Sequence, residues 1–520
     1  MRAFIQYSMK NDKNSAVFKS VSLVTALSVL EKGLGFLYRI VLSRLIGAEG
    51  LGLYHVALSL FSLFLTLGTG GIPVTVSRFI SKSKAEKNLK GEREAVSAGV
   101  CLCLFLTLPA LCIFLPFADK IPFLFSDTRA VSVFRILLLG LVFSSLYAVL
   151  RGSFWGNKHF FLSALLELAE ETVMVIAGVL LLQNVSSPEA GANLAGVAVV
   201  ISYLFSFSAS ALCFFVLGGR LTSPKKSLKP LFGATLPITS VRGSASLINS
   251  AVAVLFPAML VKSGVPASEA LGLYGAVTGM AMPVLMIPAT VISSLSLVLL
   301  PELSEDFYKK NTARLYKNLA RGISVSVLLA CVLLPFFYAF GERIGTLAFA
   351  SVTAGKLIKT GCWILLPMSV SMVTTSMLNS MGFEKQTFVF YFIGAGVILL
   401  CILLLPALLG AHAYIVGLGA SFLITAFCNL FLLYKKCGSF FKKHGKFLRR
   451  ILLKAGCSVL PLSVFARLCL NLLSPFFSAF LCIFLSALLC AVCTLLLYYV
   501  LGLLPEKFIF PFKRKKVGKI

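Results

Sequence analysis

Glu49–Tyr54 reads EGLGLY, and about 220 residues later Glu269–Tyr274 reads EALGLY. The echo continues beyond the phrase itself. After the first copy the chain passes Gly71-Ile72-Pro73 and reaches Arg78-Phe79-Ile80-Ser81; after the second it passes Met286-Ile287-Pro288 and reaches Pro301-Glu302-Leu303-Ser304. The stretch around 107–126 is then matched in kind by 329–349, each an apolar run closing on a short charged loop. Arg151–Lys158 finds a weaker counterpart in Asn379–Lys385. Correspondence over this length indicates a duplicated structural unit rather than two similar helix starts.

Composition decides what is duplicated. The 520 residues are 58% hydrophobic and only 13% charged, more apolar surface than one soluble core can hide. Apolar runs of about 20 residues recur from end to end, each long enough to cross a hydrocarbon layer of roughly 30 Å as a helix. Such continuous runs fit helices and exclude the alternating strands of a barrel. The expected fold is therefore an all-α polytopic membrane protein of about fourteen spans, the first two at 19–46 and 53–80. Two six-helix lobes are expected, at 19–219 and 231–434, followed by two further helices in 451–500. Between and around them lie an N-terminal segment 1–18, a linker 220–230, a basic loop 435–450 and a basic tail 501–520. Because six is even, both lobes enter the membrane from the same face. They are then parallel repeats about an axis along the membrane normal, which is a transporter pattern with a site between the lobes.

The formal net charge is +29. Most of the 48 basic residues fall on the side of the termini, densest at Lys82–Arg93, Arg220–Lys229, Lys309–Arg321, Lys435–Lys454 and Lys507–Lys519. The positive-inside rule makes the termini cytoplasmic. Anionic inner-leaflet lipids are the natural partners of these loops. No nucleic-acid module accompanies the charge, so nucleic acid is not an expected partner. The fourteen cysteines are scattered through apolar spans and read as small buried hydrophobes. None of the four histidines has a second ligand at metal-binding spacing, and there is no P-loop or large hydrophilic domain. Neither a metal, nor a cofactor, nor ATP-driven transport is expected.

Polar residues inside the spans carry the chemistry, since a charge at mid-bilayer costs on the order of 2.5–3.5 kcal/mol on insertion scales. In the first span Thr25, Ser28, Lys32, Gly35, Arg39 and Ser43 recur at steps of three and four and form one stripe. In the seventh, the first of the second lobe, Thr235, Thr239, Arg242, Ser246 and Asn249 do the same. Equivalent helices with cationic faces point to one aqueous cavity. Lys32, Arg39 and Arg242 are the candidate anion ligands, and Thr25, Ser28, Ser43, Thr239, Ser246 and Asn249 the candidate polar lining. The alternative is that the cations serve structural ion pairs. Glu31 and, in the fifth span, Glu167, Glu170 and Glu171 are either counter-charges or a coupling site for Na+ or H+. A cationic cavity in an apolar bundle selects anions such as phosphates. A lipid-linked diphosphate fits both parts, its headgroup in the cavity and its polyprenyl tail in a groove supplied by the last two helices.

LGFLYRIVLSRLIGAEGLGLY (34–54), GIPVTVSRFIS (71–81), RGSFWGNKHF (151–160) and LPELSEDF (300–307) together resemble the polysaccharide-exporter branch of the multidrug/oligosaccharidyl-lipid/polysaccharide flippase superfamily, near the stage V sporulation protein B group and the MurJ-type lipid II flippases. The resemblance implies alternating access and movement of undecaprenyl-diphosphate-linked sugars, such as peptidoglycan or polysaccharide precursors, from the inner to the outer leaflet, with cell-wall synthesis enzymes as further partners. Lys32 stands where an arginine is usual in those flippases, Arg39 is displaced by about one place, and Met174 occupies a common arginine position, whereas Glu170 fits the acidic one. A cation-coupled multidrug exporter of the same superfamily is the alternative, and a membrane glycosyltransferase or ligase, lacking a sizeable outer loop here, a more distant one.

Overall fold

The computed structural model describes residues 2–117, 125 and 127–503, excluding the side chains of 2–22, 295, 297 and 298. The basic stretch Lys507–Lys519 and the N-terminal side chains therefore lie outside the described residues. Among those described, every regular element is helical. The chain divides into two compact units, Met1–Gly279 and Met280–Ile520.

The first unit contains α1 (Arg2–Thr69), α2 (Ile72–Ala85), α3 (Leu89–Phe114), α4 (Arg129–Leu139), α5 (Leu141–Gly156), α6 (Phe160–Leu181), α7 (Pro188–Val216), α8 (Leu228–Lys262) and α9 (Ala267–Gly275). A π-helical turn, Ala276–Ala281, follows. The second unit contains α10 (Met282–Leu285), α11 (Ile287–Tyr308), α12 (Thr312–Phe349), α13 (Val352–Gly361), α14 (Leu365–Ser380), α15 (Glu384–Leu404), α16 (Pro406–Leu409), α17 (His412–Lys436), α18 (Gly438–Leu473) and α19 (Ala479–Val500).

Eleven segments among the described residues are long and apolar enough to cross a membrane, or twelve if α4 and α5, bent by 42°, form one span. One of them, Leu23–Ala85, is 63 residues long and holds the first two spans. Helix α6 is as long as a span but carries Glu167, Glu170 and Glu171 in its middle, which is why composition alone passes it over. With both allowances the helices agree with the fourteen expected.

Span 1 passes into span 2 without the loop expected at 47–52. The joint is one residue, Gly47, at φ 70° and ψ −177°, a backbone region that side chains with a Cβ avoid. Helix resumes immediately and carries EGLGLY onto α9, which carries EALGLY. A Cβ on Gly275 would stand 2.6 Å from the Gly52 amide nitrogen and against the Ala48 carbonyl, and one on Gly52 would meet the Leu271 carbonyl. The two copies of the phrase thus lie on each other, backbone against backbone, in the manner of small-residue contacts between membrane helices. Glu49 of the first copy accepts a 2.7 Å bond from Arg129, which also binds Asp127. In the same unit α2 packs into α5 over Ile72, Val76, Ile80, Val149 and Phe154.

In the second unit α12 packs against α13, α14 and α18, and α15 against α17. The LPELSEDF stretch ends α11 with a buried acid: Asp306, 3% exposed, accepts a 3.0 Å bond from Asn318 and lies 3.6 Å from Arg314, both on α12. Asn429 of α17 is fully buried and donates to the Thr374 and Thr375 hydroxyls of α14. All fourteen cysteines are free thiols. Two of them, Cys490 and Cys493, stand at C-x-x-C spacing one turn apart on α19.

Candidate functional site

The first unit gathers charge where α1, α5 and α6 meet. Glu31 and Lys32 are neighbours on α1, with Gly35 and Arg39 one and two turns on, the spacing that keeps residues on one helix face. Helix α6 packs along α1 and brings its three glutamates to that face. Glu171 lies in the field of both Glu31 and Arg39, and its Oε1 occupies the space a Cβ on Gly35 would need, 2.6 Å away. Gly35 is therefore the notch that admits this carboxylate.

Glu167 is held directly. The Arg151 guanidinium donates through Nη1 to its Oε1 at 3.2 Å, and sits 5.2 Å from the Trp155 ring and 5.7 Å from the Tyr147 ring, where aromatic faces favour a cation. Glu31 feels Glu167, Lys32 and Arg151 together. Glu170 lies deeper, with its Oε2 buried and without a hydrogen-bond partner, as is the Tyr147 hydroxyl. Lys32 and Arg39 remain exposed on α1. Among the described residues neither has a carboxylate at ion-pair distance.

Arg151 is the member that the sequence reading did not assign. It opens the RGSFWGNK stretch, and its charge within an apolar span was the available signal. Sixteen residues and a turn between helices separate it from Glu167, so no periodicity links the two.

Arg242 lies on α8, which packs against α1. Helices α1 and α2 are interrupted at Gly70–Gly71, and α8 closes the break: Arg242 Nη1 donates to the Gly70 carbonyl at 2.7 Å, and the Thr239 hydroxyl accepts from the Gly71 amide at 3.0 Å. These are the orphan backbone groups that an interrupted helix leaves. Arg242 thus contacts the break between α1 and α2. Its guanidinium carries five donors, one of which is used here. Of the other polar positions, Thr25 and Asn249 are exposed, Ser28 and Ser246 half-buried, and Ser43 buried with its hydroxyl donated to the Ile40 carbonyl at 2.7 Å.

A family model described as polysaccharide biosynthesis protein matches residues 17–307, more than half of the chain and all of this charged group. The chain belongs to that family. It falls accordingly within the multidrug/oligosaccharidyl-lipid/polysaccharide flippase superfamily. Among Bacillus subtilis (strain 168) proteins, it is 24% identical to stage V sporulation protein B over 353 residues, 66% of this chain and 68% of that one. It is 22% identical to the lipid II flippase MurJ over 486 residues, 86% of this chain and 87% of the other. Among solved structures, a lipid II flippase MurJ in an inward closed conformation superposes with a TM-score of 0.69 at 15% identity, covering 94% of this chain and 99% of that one. An inward-facing multidrug resistance MATE family transporter gives 0.66 at 16% identity, covering 79% and 96%. The family's fold is shared at identities that leave the transported molecule open.

Proposed function

We propose that the chain is a flippase that carries a polyprenyl-diphosphate-linked sugar from the inner to the outer leaflet of a bacterial plasma membrane by alternating access, with both termini in the cytoplasm. The observation that supports this reading is the pair Lys32 and Arg39, exposed on one helix face inside a span with no carboxylate in ion-pair reach among the described residues. Cations without a direct ion-pair partner at that depth cost on the order of 2.5–3.5 kcal/mol each, and a diphosphate offsets that cost. Arg39 suits it through its planar fork and Lys32 as a point charge. Arg242, already fixed on Gly70, has donors left for the same anion once the substrate bridges toward it. The tail stays in lipid or along α18 and α19, which expose Leu460, Val464, Phe480 and Phe484.

Glu31 and the α6 glutamates act as the counter-charge of the empty carrier. While the substrate is absent they hold the cations by longer-range attraction, and the diphosphate displaces that attraction on binding. The same carboxylates take up H+ or Na+ to return the empty carrier. An inside-negative potential assists outward movement of net negative charge by about 2.3 kcal/mol per charge per 100 mV.

A second reading, cation-coupled export of cationic drugs, is supported by the fold likeness to the MATE transporter and by the four carboxylates. One experiment separates the two. Cells depleted of their own lipid II flippase are complemented with this chain, and outer-leaflet precursor is scored. Rescue that is lost in Lys32→Ala/Arg39→Ala supports the flippase reading. Efflux of cationic dyes without rescue overturns it in favour of drug export.

A further inference from the structure

A cavity of about 300 Å³ opens in the first unit, lined from α2, α3, α5 and α7 at their ends on one side, at the small end of the range for small-molecule sites. Helix α2 runs out to that side and α3 runs back from it, α5 runs out and α6 back, and α7 runs out again before α8. It is the side that the positive-inside bias assigns to the cytoplasm. The cavity rim carries Lys84 from the end of α2, Arg93 from the first turns of α3 and Arg220 from the segment after α7, against one carboxylate, Glu92. Phe154 and Phe214, both buried core residues, form part of its wall.

Two features hold this rim in place. Helix α7 closes at Gly218, φ 82°, with the Gly219 amide reaching back to the Phe214 carbonyl at 2.9 Å, a C-terminal cap that fixes where Arg220 emerges. The next turn of chain is strapped across α3, with the Thr222 amide donating to the Ser97 hydroxyl at 2.8 Å. Arg93 is half-buried. Among the described residues none of Lys84, Arg93 or Arg220 makes an ion pair, and neither does Glu92 in the same cavity. Other charges of the same loop behave differently: Lys82 lies 3.8 Å from Glu86, and Lys90 stands outside the cavity lining. Three cations without ion-pair partners around a half-open, partly apolar space favour an anion rich in acceptors, which arginine binds through two parallel bonds.

We infer that this cavity is a phosphate-binding site, separate from the Lys32–Arg39 face, in which Arg93 anchors the phosphate and Lys84 and Arg220 close over it. The phosphate belongs either to the headgroup of an anionic bilayer lipid whose chains enter the adjoining leaflet, or to a water-soluble phosphate compound. Both share the recognised group. The site differs from diffuse attraction between basic loops and the membrane in that it depends on particular cations rather than on net charge.

The test uses the full-length protein purified in detergent, with two probes: phosphatidylglycerol titrated in and counted by native mass spectrometry, and inorganic phosphate or pyrophosphate followed by calorimetry. Wild type is compared with Lys84→Gln/Arg93→Gln/Arg220→Gln, with Arg220→Gln alone, which changes one exposed side chain, and with the equal-loop control Lys82→Gln/Lys90→Gln. We expect wild type to bind one equivalent of at least one probe. The triple variant should bind about tenfold or more weakly, since a charge-assisted hydrogen bond is lost at each position. The single variant should fall between, and the control should match wild type. Binding of phosphatidylglycerol alone identifies a lipid headgroup, binding of phosphate or pyrophosphate alone a soluble ligand, and binding of both the phosphate group itself. Absence of binding to either probe, equal binding by the single and triple variants and wild type, or a loss in the control as large as in the triple variant overturns the proposal.

Discussion

Gly275→Ala adds one methyl where the two copies of the repeated phrase touch. That methyl would lie 2.6 Å from the Gly52 nitrogen and press on the Ala48 carbonyl, whereas ordinary contacts begin at 3.4 Å. Both obstructing groups are backbone, so no rotamer change relieves the clash, and α9 must move off α1 by about 1 Å. Overpacking of this kind costs roughly 1–3 kcal/mol, about a 5- to 150-fold change in the folding equilibrium. Gly33→Ala is the matched control, since a Cβ there meets no described atom within 4 Å beyond its own stretch of helix and alanine favours helix by up to about 1 kcal/mol. Reversible unfolding in mixed micelles should show a lower midpoint for Gly275→Ala, and an unchanged or higher one for Gly33→Ala. Equal midpoints for the two variants would refute the backbone-on-backbone seam.

Arg151→Gln should leave Glu167 without its partner and cost about 1–3 kcal/mol, while Arg151→Gln/Glu167→Gln should recover part of that in a double-mutant cycle; additive losses would mean the pair is not coupled. Arg242→Gln keeps an amide donor for the Gly70 carbonyl and removes the charge, so it should unfold within about 1 kcal/mol of wild type yet bind a lipid diphosphate less tightly. A large loss of stability with binding intact would confine Arg242 to the helix break. Burial pushes the Asp127 carboxyl up, but hydrogen bonds from the Arg129 side chain and amide, and that cation's charge, outweigh it and hold the group below its usual value. A depressed folded value gives stability that is present above the unfolded value of about 4 and lost as pH falls through the folded one. Asp127→Asn should therefore melt below wild type at neutral pH and converge with it near pH 2; a constant gap down to that pH would show that the carboxylate's charge is not what stabilises.

The helices were legible in the sequence because lipid demands long apolar runs and tolerates little else, and the duplication because it repeats at the level of letters. What the letters do not carry is which surfaces meet. EGLGLY and EALGLY read as two copies of one repeated unit, and only the packed chain puts Gly52 and Gly275 against each other's backbone. The stripe from Lys32 to Arg39 follows from helical spacing and stands on one face as expected. Arg242 and Thr239 form an equally regular stripe, yet they contact the unpaired carbonyl and amide at Gly70 and Gly71. A helix interruption inside an apolar run has no periodic signature, so its capping partners on another helix have none either. The joint at Gly47 was missed for a related reason, since six residues of apparent loop turn out to be one glycine and the start of the next helix.

Helix α6 has a consequence for how the chain enters its membrane. Measured by composition alone it is a poor passenger, because three glutamates stand in the middle of its 22 residues. Its counter-charge, Arg151, lies on α5, the helix made just before it. An emerging hairpin can therefore neutralise one acid before either helix faces lipid by itself, and α1, made earlier still, offers Lys32 and Arg39 to the others. Insertion of this region is expected to be a joint event, with α6 waiting at the translocation machinery until its neighbours are at hand. Charge reversal at Arg151 should then appear first as a defect in topology, before any defect in transport is measurable.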